Sequence, residues 1–298
     1  MKHAVRLLAT GTAIAMALTA PAVAADLPEP EIIETPVFEA PERVPHKMSG
    51  WYIRGDVGYS FNSTGDIDYI NYGCGGCVAG STGILRGELG DSFSIGGGLG
   101  YQINHYARVD ATLDYNFSSD FEGSTAGTCD FTGVGGPAGP IACTSADVAT
   151  FSALTVLANA YVDLGTYVGI TPYVGAGFGG ARVHWGELTN TECEDVPTGP
   201  GGAPFCNTRV HEGSQEWRFA YALMAGLSYN VSKKLTLDVG YRYKRIQGGR
   251  MFGFNGNGPG FDDGITSHEV RAGVRYKFGG KHHRPMQQVS YHPTPVYK

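Results

Sequence analysis

The stretch SHEVRAGVRYKF, residues 267–278, decides the fold. Val270, Ala272, Val274, Tyr276 and Phe278 are apolar, and Glu269, Arg271, Arg275 and Lys277 stand between them. A strand with this alternation has one apolar face and one charged face. Seven further runs repeat the pattern. Residues 51–61 set Trp51, Ile53, Val57, Tyr59 and Phe61 against Tyr52, Arg54, Asp56 and Ser60; residues 106–117 set Ala107, Val109, Ala111, Leu113, Tyr115 and Phe117 against Arg108, Asp110, Thr112, Asp114 and Asn116. The others cover residues 91–103, 149–163, 171–184, 215–229 and 234–246. Most strands of ordinary sheets are about 5–6 residues long. A tilted strand that crosses a bilayer needs about 9–11.

The connections alternate as strictly as the residues. Asn104-His105, residues 164–170 and residues 230–233 are short turns. Residues 62–90, 118–148 and 185–214 are long, and residues 247–264 form a shorter Gly/Asn/Pro loop. Long external loops and short periplasmic turns are the outer-membrane pattern, with both termini periplasmic. The apolar faces then meet lipid and the charged faces meet the lumen. Lipid cannot satisfy free backbone groups, so the sheet must close on itself. The expected fold is all-β, an eight-stranded, up-and-down, antiparallel transmembrane β-barrel over residues 50–278.

The flanks have different textures. Residues 1–24 carry Lys2 and Arg6, an apolar run and Ala22-Val23-Ala24, and read as a secretory signal peptide. Residues 25–49 are acidic and Pro-rich and read as a periplasmic linker; residues 279–298 form a basic tail with His282, His283 and His292. Without Lys2 and Arg6, the chain has 20 basic and 28 acidic residues, a net charge of −8. That balance argues against a nucleic-acid partner. Forty-five glycines favour strands and turns over long helices. Six cysteines fall in neighbouring pairs, Cys74/Cys77, Cys129/Cys143 and Cys193/Cys206. In an exported protein they read as disulfides, and nearest-neighbour pairing is expected among 15 connectivities.

The order of "GWYIRGDVGYSF", "TPYVGAGFGGARV", "LDVGYRYKR" and "VRAGVRYKF" resembles the small porin-family barrels of Gram-negative bacteria. The nearest group is the opacity-like outer-membrane proteins of alphaproteobacteria. The resemblance covers residues 50–278. It implies insertion by the barrel-assembly machinery, with Tyr276 and Phe278 as the aromatic end signal. Many relatives end at that Phe, whereas this chain continues for twenty residues.

Fourteen charges are expected to point into the lumen: Arg54, Asp56, Arg108, Asp110, Asp114, Asp163, Arg218, Asp238, Arg242, Lys244, Glu269, Arg271, Arg275 and Lys277. Eight strands enclose a space that side chains can fill. A salt-bridged plug is therefore expected over a charged aqueous pore. The run Gly175–Gly180 matches G-x-G-x-x-G, but strand residues follow it where nucleotide binding needs a helix. Cys74-Gly-Gly-Cys77 lacks the second ligand pair that zinc requires. His184 and His211 flank the third long loop and could serve haem, which also needs an apolar pocket. Ser267-His268-Glu269 is the one compact catalytic candidate, but adjacent strand residues face opposite ways. The expectation is a non-enzymatic protein without cofactor, integral to the outer membrane. Its role would be to stabilise that membrane and present stapled loops. The alternatives are a narrow pore or a haem or ligand receptor. Expected partners are outer-membrane lipids and lipopolysaccharide, through rim aromatics and external cations such as Arg86, the assembly machinery, and a host or surface ligand at the loops.

Overall fold

The computed structural model describes residues 49–70, 82–253 and 259–278. The expected signal peptide, the expected linker up to residue 48, Cys74, Cys77 and residues 279–298 lie outside them. Thirteen strands form one antiparallel sheet. They are β1 (Gly50–Thr64), β2 (Ile67–Ile70), β3 (Thr82–Leu89), β4 (Ser92–Gln102), β5 (Ala107–Ser124), β6 (Ala126–Cys129) and β7 (Ile141–Asp163). They continue as β8 (Ile170–Trp185), β9 (Leu188–Glu194), β10 (Cys206–His211), β11 (Ser214–Asn230), β12 (Leu235–Phe252) and β13 (Gly260–Phe278).

Eight of them close a ring. The order is β1, β4, β5, β7, β8, β11, β12, β13, and β13 returns to β1 with Phe278 opposite Trp51 and Ile265 opposite Thr64. Each ring strand corresponds to one alternating run, and β1, β5, β7, β12 and β13 extend it at the outer end. Closure leaves no open edge in the ring, which is what a lipid environment demands.

The outward face is apolar. Val57, Phe93, Leu113, Val174, Leu223, Val239 and Val270, from seven different ring strands, are between 45% and 67% exposed. A water-soluble protein rarely leaves so continuous an apolar surface uncovered. Aromatic side chains mark both edges of this belt. Trp51 and Tyr101 meet edge to face near one end, and Tyr59 meets Phe61 and Phe93 near the other.

The long loops are not loops throughout. β2 pairs with β13 and β3, β3 with β5, β6 with β7, and β9 with β7 and β10, so the wall continues past the belt. Two irregularities reset the alternation there. A register shift in β5 between Asn116 and Ser119 turns Ser119 and Phe121 inward, where strict alternation from Phe117 would turn Phe121 out. In β13, Gly264 has φ 113°, and Asp262 and Ile265 are both buried on either side of it. Only glycine takes that backbone angle without strain.

Among the described residues, two disulfides staple this outer region. Cys129–Cys143 ties β6 to β7, and Cys193–Cys206 ties β9 to β10 at directly paired positions. Both follow the nearest-neighbour expectation.

Candidate functional site

The interior of the ring is the candidate site, and it is filled in layers. Near the short-turn end, Arg54 grips Asp56 with two nitrogens at 2.7 and 2.8 Å and also reaches Asp110 at 3.0 Å. Tyr52 donates to the same Asp110 at 3.0 Å. Arg275 holds Asp238 at 2.6 and 2.9 Å, and Ser228 donates to that Asp238. The Arg108 guanidinium lies between the rings of Tyr161 and Tyr173, 4.3 and 4.5 Å from their centroids. Its Nε is 3.2 Å from Asp163 but not aligned for a hydrogen bond, so that contact is purely electrostatic, supplemented by the two π-faces. Lys277 is half-buried beside this layer, with no ion pair among the described residues.

The central layer is the most tightly coupled. Arg242 contacts Asp114 at 2.8 Å and Glu269 at 2.5 Å. Lys244 contacts the other oxygen of Glu269 at 2.8 Å and donates to Asn116 at 2.6 Å. Arg271 reaches Asp114 at 2.5 Å and approaches Asp56 at 3.7 Å. Arg242 is 1% exposed and Glu269 0%. Charges so deeply buried are tolerable only when paired and hydrogen-bonded, and these are. Backbone glycines provide the room. A Cβ on Gly96 would lie 2.1 Å from Asp114 Oδ1, and one on Gly273 would lie 2.2 Å from Asp56 Oδ1.

Above the charges the filling turns apolar. Leu85, Leu89, Phe121, Phe151, Leu157, Val183, Trp185, Ile246, Met251 and Ile265, from β3, β5, β7, β8, β12 and β13, belong to one buried cluster. Trp185 packs edge-on against Phe121 and tilted against Phe151. One polar latch in this zone centres on Arg218. Arg218 Nη1 donates to both oxygens of Asp262 at 2.8 and 2.7 Å, its Nη2 to the Arg250 carbonyl at 2.6 Å, and its Nε to Glu216 at 2.9 Å. Trp185 Nε1 also donates to Asp262, at 3.2 Å.

Sequence reasoning missed Asp262, Glu216 and the apolar cluster. Glu216 was legible, because it shares the inward parity of Arg218. Asp262 was not, because the turn at Gly264 inverts the count from Phe278. The lumen encloses a cavity of about 20 Å³ lined by Arg54, Asp56, Tyr161, Asp238, Arg242 and Arg271. That is room for roughly one water molecule.

The remaining candidates fall apart geometrically. Ser267 and Glu269 point inward while His268 is exposed, its Nδ1 2.5 Å from Tyr241 Oη on the outer wall. His184 sits on the outward face of β8, whereas the His211 ring lies 5.6 Å from Phe252. Gly175–Gly180 lies wholly within β8, and a Cβ on Gly175 or Gly177 would strike Tyr161 or Asn159. Among the described residues, no His, Cys, Asp and Glu group has metal-binding geometry.

A closed eight-stranded ring, apolar outside and charged within, defines an integral membrane β-barrel. The family model for the outer membrane protein beta-barrel domain matches residues 10–278, and the chain belongs to that family. An uncharacterised protein of Brucella abortus is 36% identical over 285 residues, covering 86% of this chain and 93% of its own. An opacity protein of Neisseria gonorrhoeae is 31% identical over 121 residues, 37% of this chain and 46% of that one. Among solved structures, the chain is similar to Neisserial surface protein A, at 19% identity and a TM-score of 0.40, over 77% of this chain and 99% of that one. The protein is thus an integral outer-membrane protein of the small-barrel type, and its apolar belt faces membrane lipid.

Proposed function

We propose that this barrel is a closed, non-catalytic structural element of the outer membrane that displays disulfide-stapled loops and conducts no solute. The observation that supports it is the filled interior: paired charges through the membrane zone, an apolar cluster above them, and, among Arg54, Asp56, Arg242 and Arg271, a cavity of about 20 Å³ that holds roughly one water. A wall built to pass ions would line a continuous water path, with binding weak enough to release them. Here every lumen arginine contacts a carboxylate. Lipopolysaccharide in the outer leaflet and a surface ligand at the loops are the partners this role implies. Tyr276 and Phe278 would be read by the assembly machinery before insertion.

The test is planar-bilayer conductance of the purified protein, with folding verified by heat-modifiable migration in detergent gels. Silence is the expected result. Reproducible, sustained steps would replace this reading with that of a narrow pore. A protein that runs identically before and after boiling would not have formed the barrel.

A further inference from the structure

Arginines stand on both faces of this wall, and the two sets are partnered differently. Inside, each meets a carboxylate. On the outward face, Arg182 of β8 and Arg245 of β12 do not. Arg182 Nη2 donates to the side-chain oxygen of Gln215 at 3.0 Å. Arg245 donates to Thr266 Oγ1 at 2.7 Å and to the Asp263 carbonyl at 2.8 Å. All three acceptors are neutral, and neither arginine makes an ion pair among the described residues.

Their level on the wall says what they would meet. Arg182 stands twelve positions beyond Ile170, where β8 begins, and Arg245 ten beyond Leu235, where β12 begins. A tilted strand crosses the hydrocarbon in about 9–11 residues. Both guanidinium groups therefore emerge at the outer headgroups, where a charge on the lipid face costs little. Between them runs β11, with Trp217 opposite Arg182 and Tyr221 opposite Arg245. Trp217 is 60% exposed, and Phe219 and Tyr221 line the same face. Two strand spacings and a four-residue offset separate the two arginine backbones by about 16 Å. That is a distance one headgroup with two anionic ends can bridge.

The opposite side of the rim has the other sign. Glu88 of β3 lies directly across from Glu122 of β5, both exposed, with exposed Asp120 and Asp91 nearby. Arg86 sits two residues from Glu88 on this acidic side. It is therefore a poorer phosphate ligand than sequence reading suggested. A phosphorylated headgroup would be repelled there and held at Arg182 and Arg245. The planar guanidinium fork matches phosphate oxygens, and an aromatic face between the forks suits a sugar ring.

We propose that Arg182, Arg245 and Trp217 form an outward-facing site for a phosphorylated glycolipid headgroup of the outer leaflet. The proposal rests on the membrane-stabilising reading and assigns it a place on the wall.

The experiment uses the full chain folded in detergent micelles. The midpoint of heat-modifiable migration is followed against purified lipopolysaccharide, the same material after enzymatic dephosphorylation, and inorganic phosphate. Lipopolysaccharide should raise the midpoint, and its dephosphorylated form should do so less. The paired variant Arg182→Gln/Arg245→Gln should weaken the apparent affinity by roughly tenfold or more, the value of one lost charge-assisted hydrogen bond. Arg86→Gln should leave it unchanged. An unchanged affinity in the paired variant, or equal binding of the dephosphorylated form, would overturn the site. An equal response to inorganic phosphate would overturn the lipid as its ligand. If the paired variant does not fold, Arg182→Lys/Arg245→Lys keeps the charge and removes the fork. A partial loss of affinity supports the site, and no loss overturns it. Conductance is unaffected by these outcomes, so a binding failure and a failure of the closed-barrel reading are separable.

Discussion

The lower and upper halves of this barrel are filled by opposite chemistries, although one continuous wall encloses both. Through the membrane belt, Asp114, Glu269, Arg242 and Lys244 point in and Leu113, Val239 and Val270 point out. Beyond it, Leu89, Phe121 and Trp185 point in, and Glu88, Glu122 and Arg182 point out. The difference follows from the solvent. Where the wall faces lipid, apolar side chains belong outside and the polar ones are left to satisfy each other. Where it faces water, the ordinary rule returns and apolar side chains are buried. The wall makes this exchange with small devices: the β5 register shift, which turns Phe121 inward, and on β8 a change of residue type with no break in register.

The largest expected effect breaks the charged half. Glu269→Ala leaves Arg242 and Lys244 without their shared carboxylate. It should destabilise the barrel by about 3–5 kcal/mol in denaturant unfolding monitored by heat-modifiable migration. A loss below about 1 kcal/mol would mean that water reaches the central layer, contrary to a dry, paired plug. In the apolar half, Leu157→Ala should cost about 2–5 kcal/mol, while Leu157→Met should stay under about 1.5. Equal costs for the two would show that this cluster is not close-packed.

Next comes the fit between the backbone and the charges. Gly96→Ala presses a methyl group against Asp114, which two arginines hold in place, and should cost about 1–3 kcal/mol by the same assay. The smallest effect belongs to the stapled hairpin of β9 and β10. There, burial raises the Glu194 pKa, but the backbone N–H groups of Thr198 and Phe205 and the Thr198 hydroxyl outweigh it and hold the carboxyl below the usual range. Its folded pKa is depressed, so its contribution is present above the unfolded value near about 4.3 and is lost as pH falls through the folded value. Hydrogen exchange at Thr198 and Phe205 should accelerate in that acidic window relative to β9 in a Glu194→Gln variant. A pH-independent difference would remove the carboxylate from the account.

The eight ring strands were legible because a bilayer imposes a long, strict period of two, and one misplaced charge in it is costly. The expected inward set from Arg54 to Lys277 was read from the same period. The outer strands were not legible. β2, β6 and β10 are only four, four and six residues long, too short for a period of two to stand out. Phe121 illustrates the limit. Counting from Phe117 turns it toward solvent, and only the register shift against β7 turns it onto Trp185.

What the sequence determined by itself was therefore the eight ring strands, their faces, their up-and-down order and the membrane they cross, because solvent alone sorts residues along a strand. What only the tertiary structure decided was which carboxylate meets which cation, where the alternation inverts, and that an apolar cluster covers the charges. Those depend on closing the ring, which brings Asp114 to Arg242 and Trp185 to Asp262 across distances no local pattern encodes.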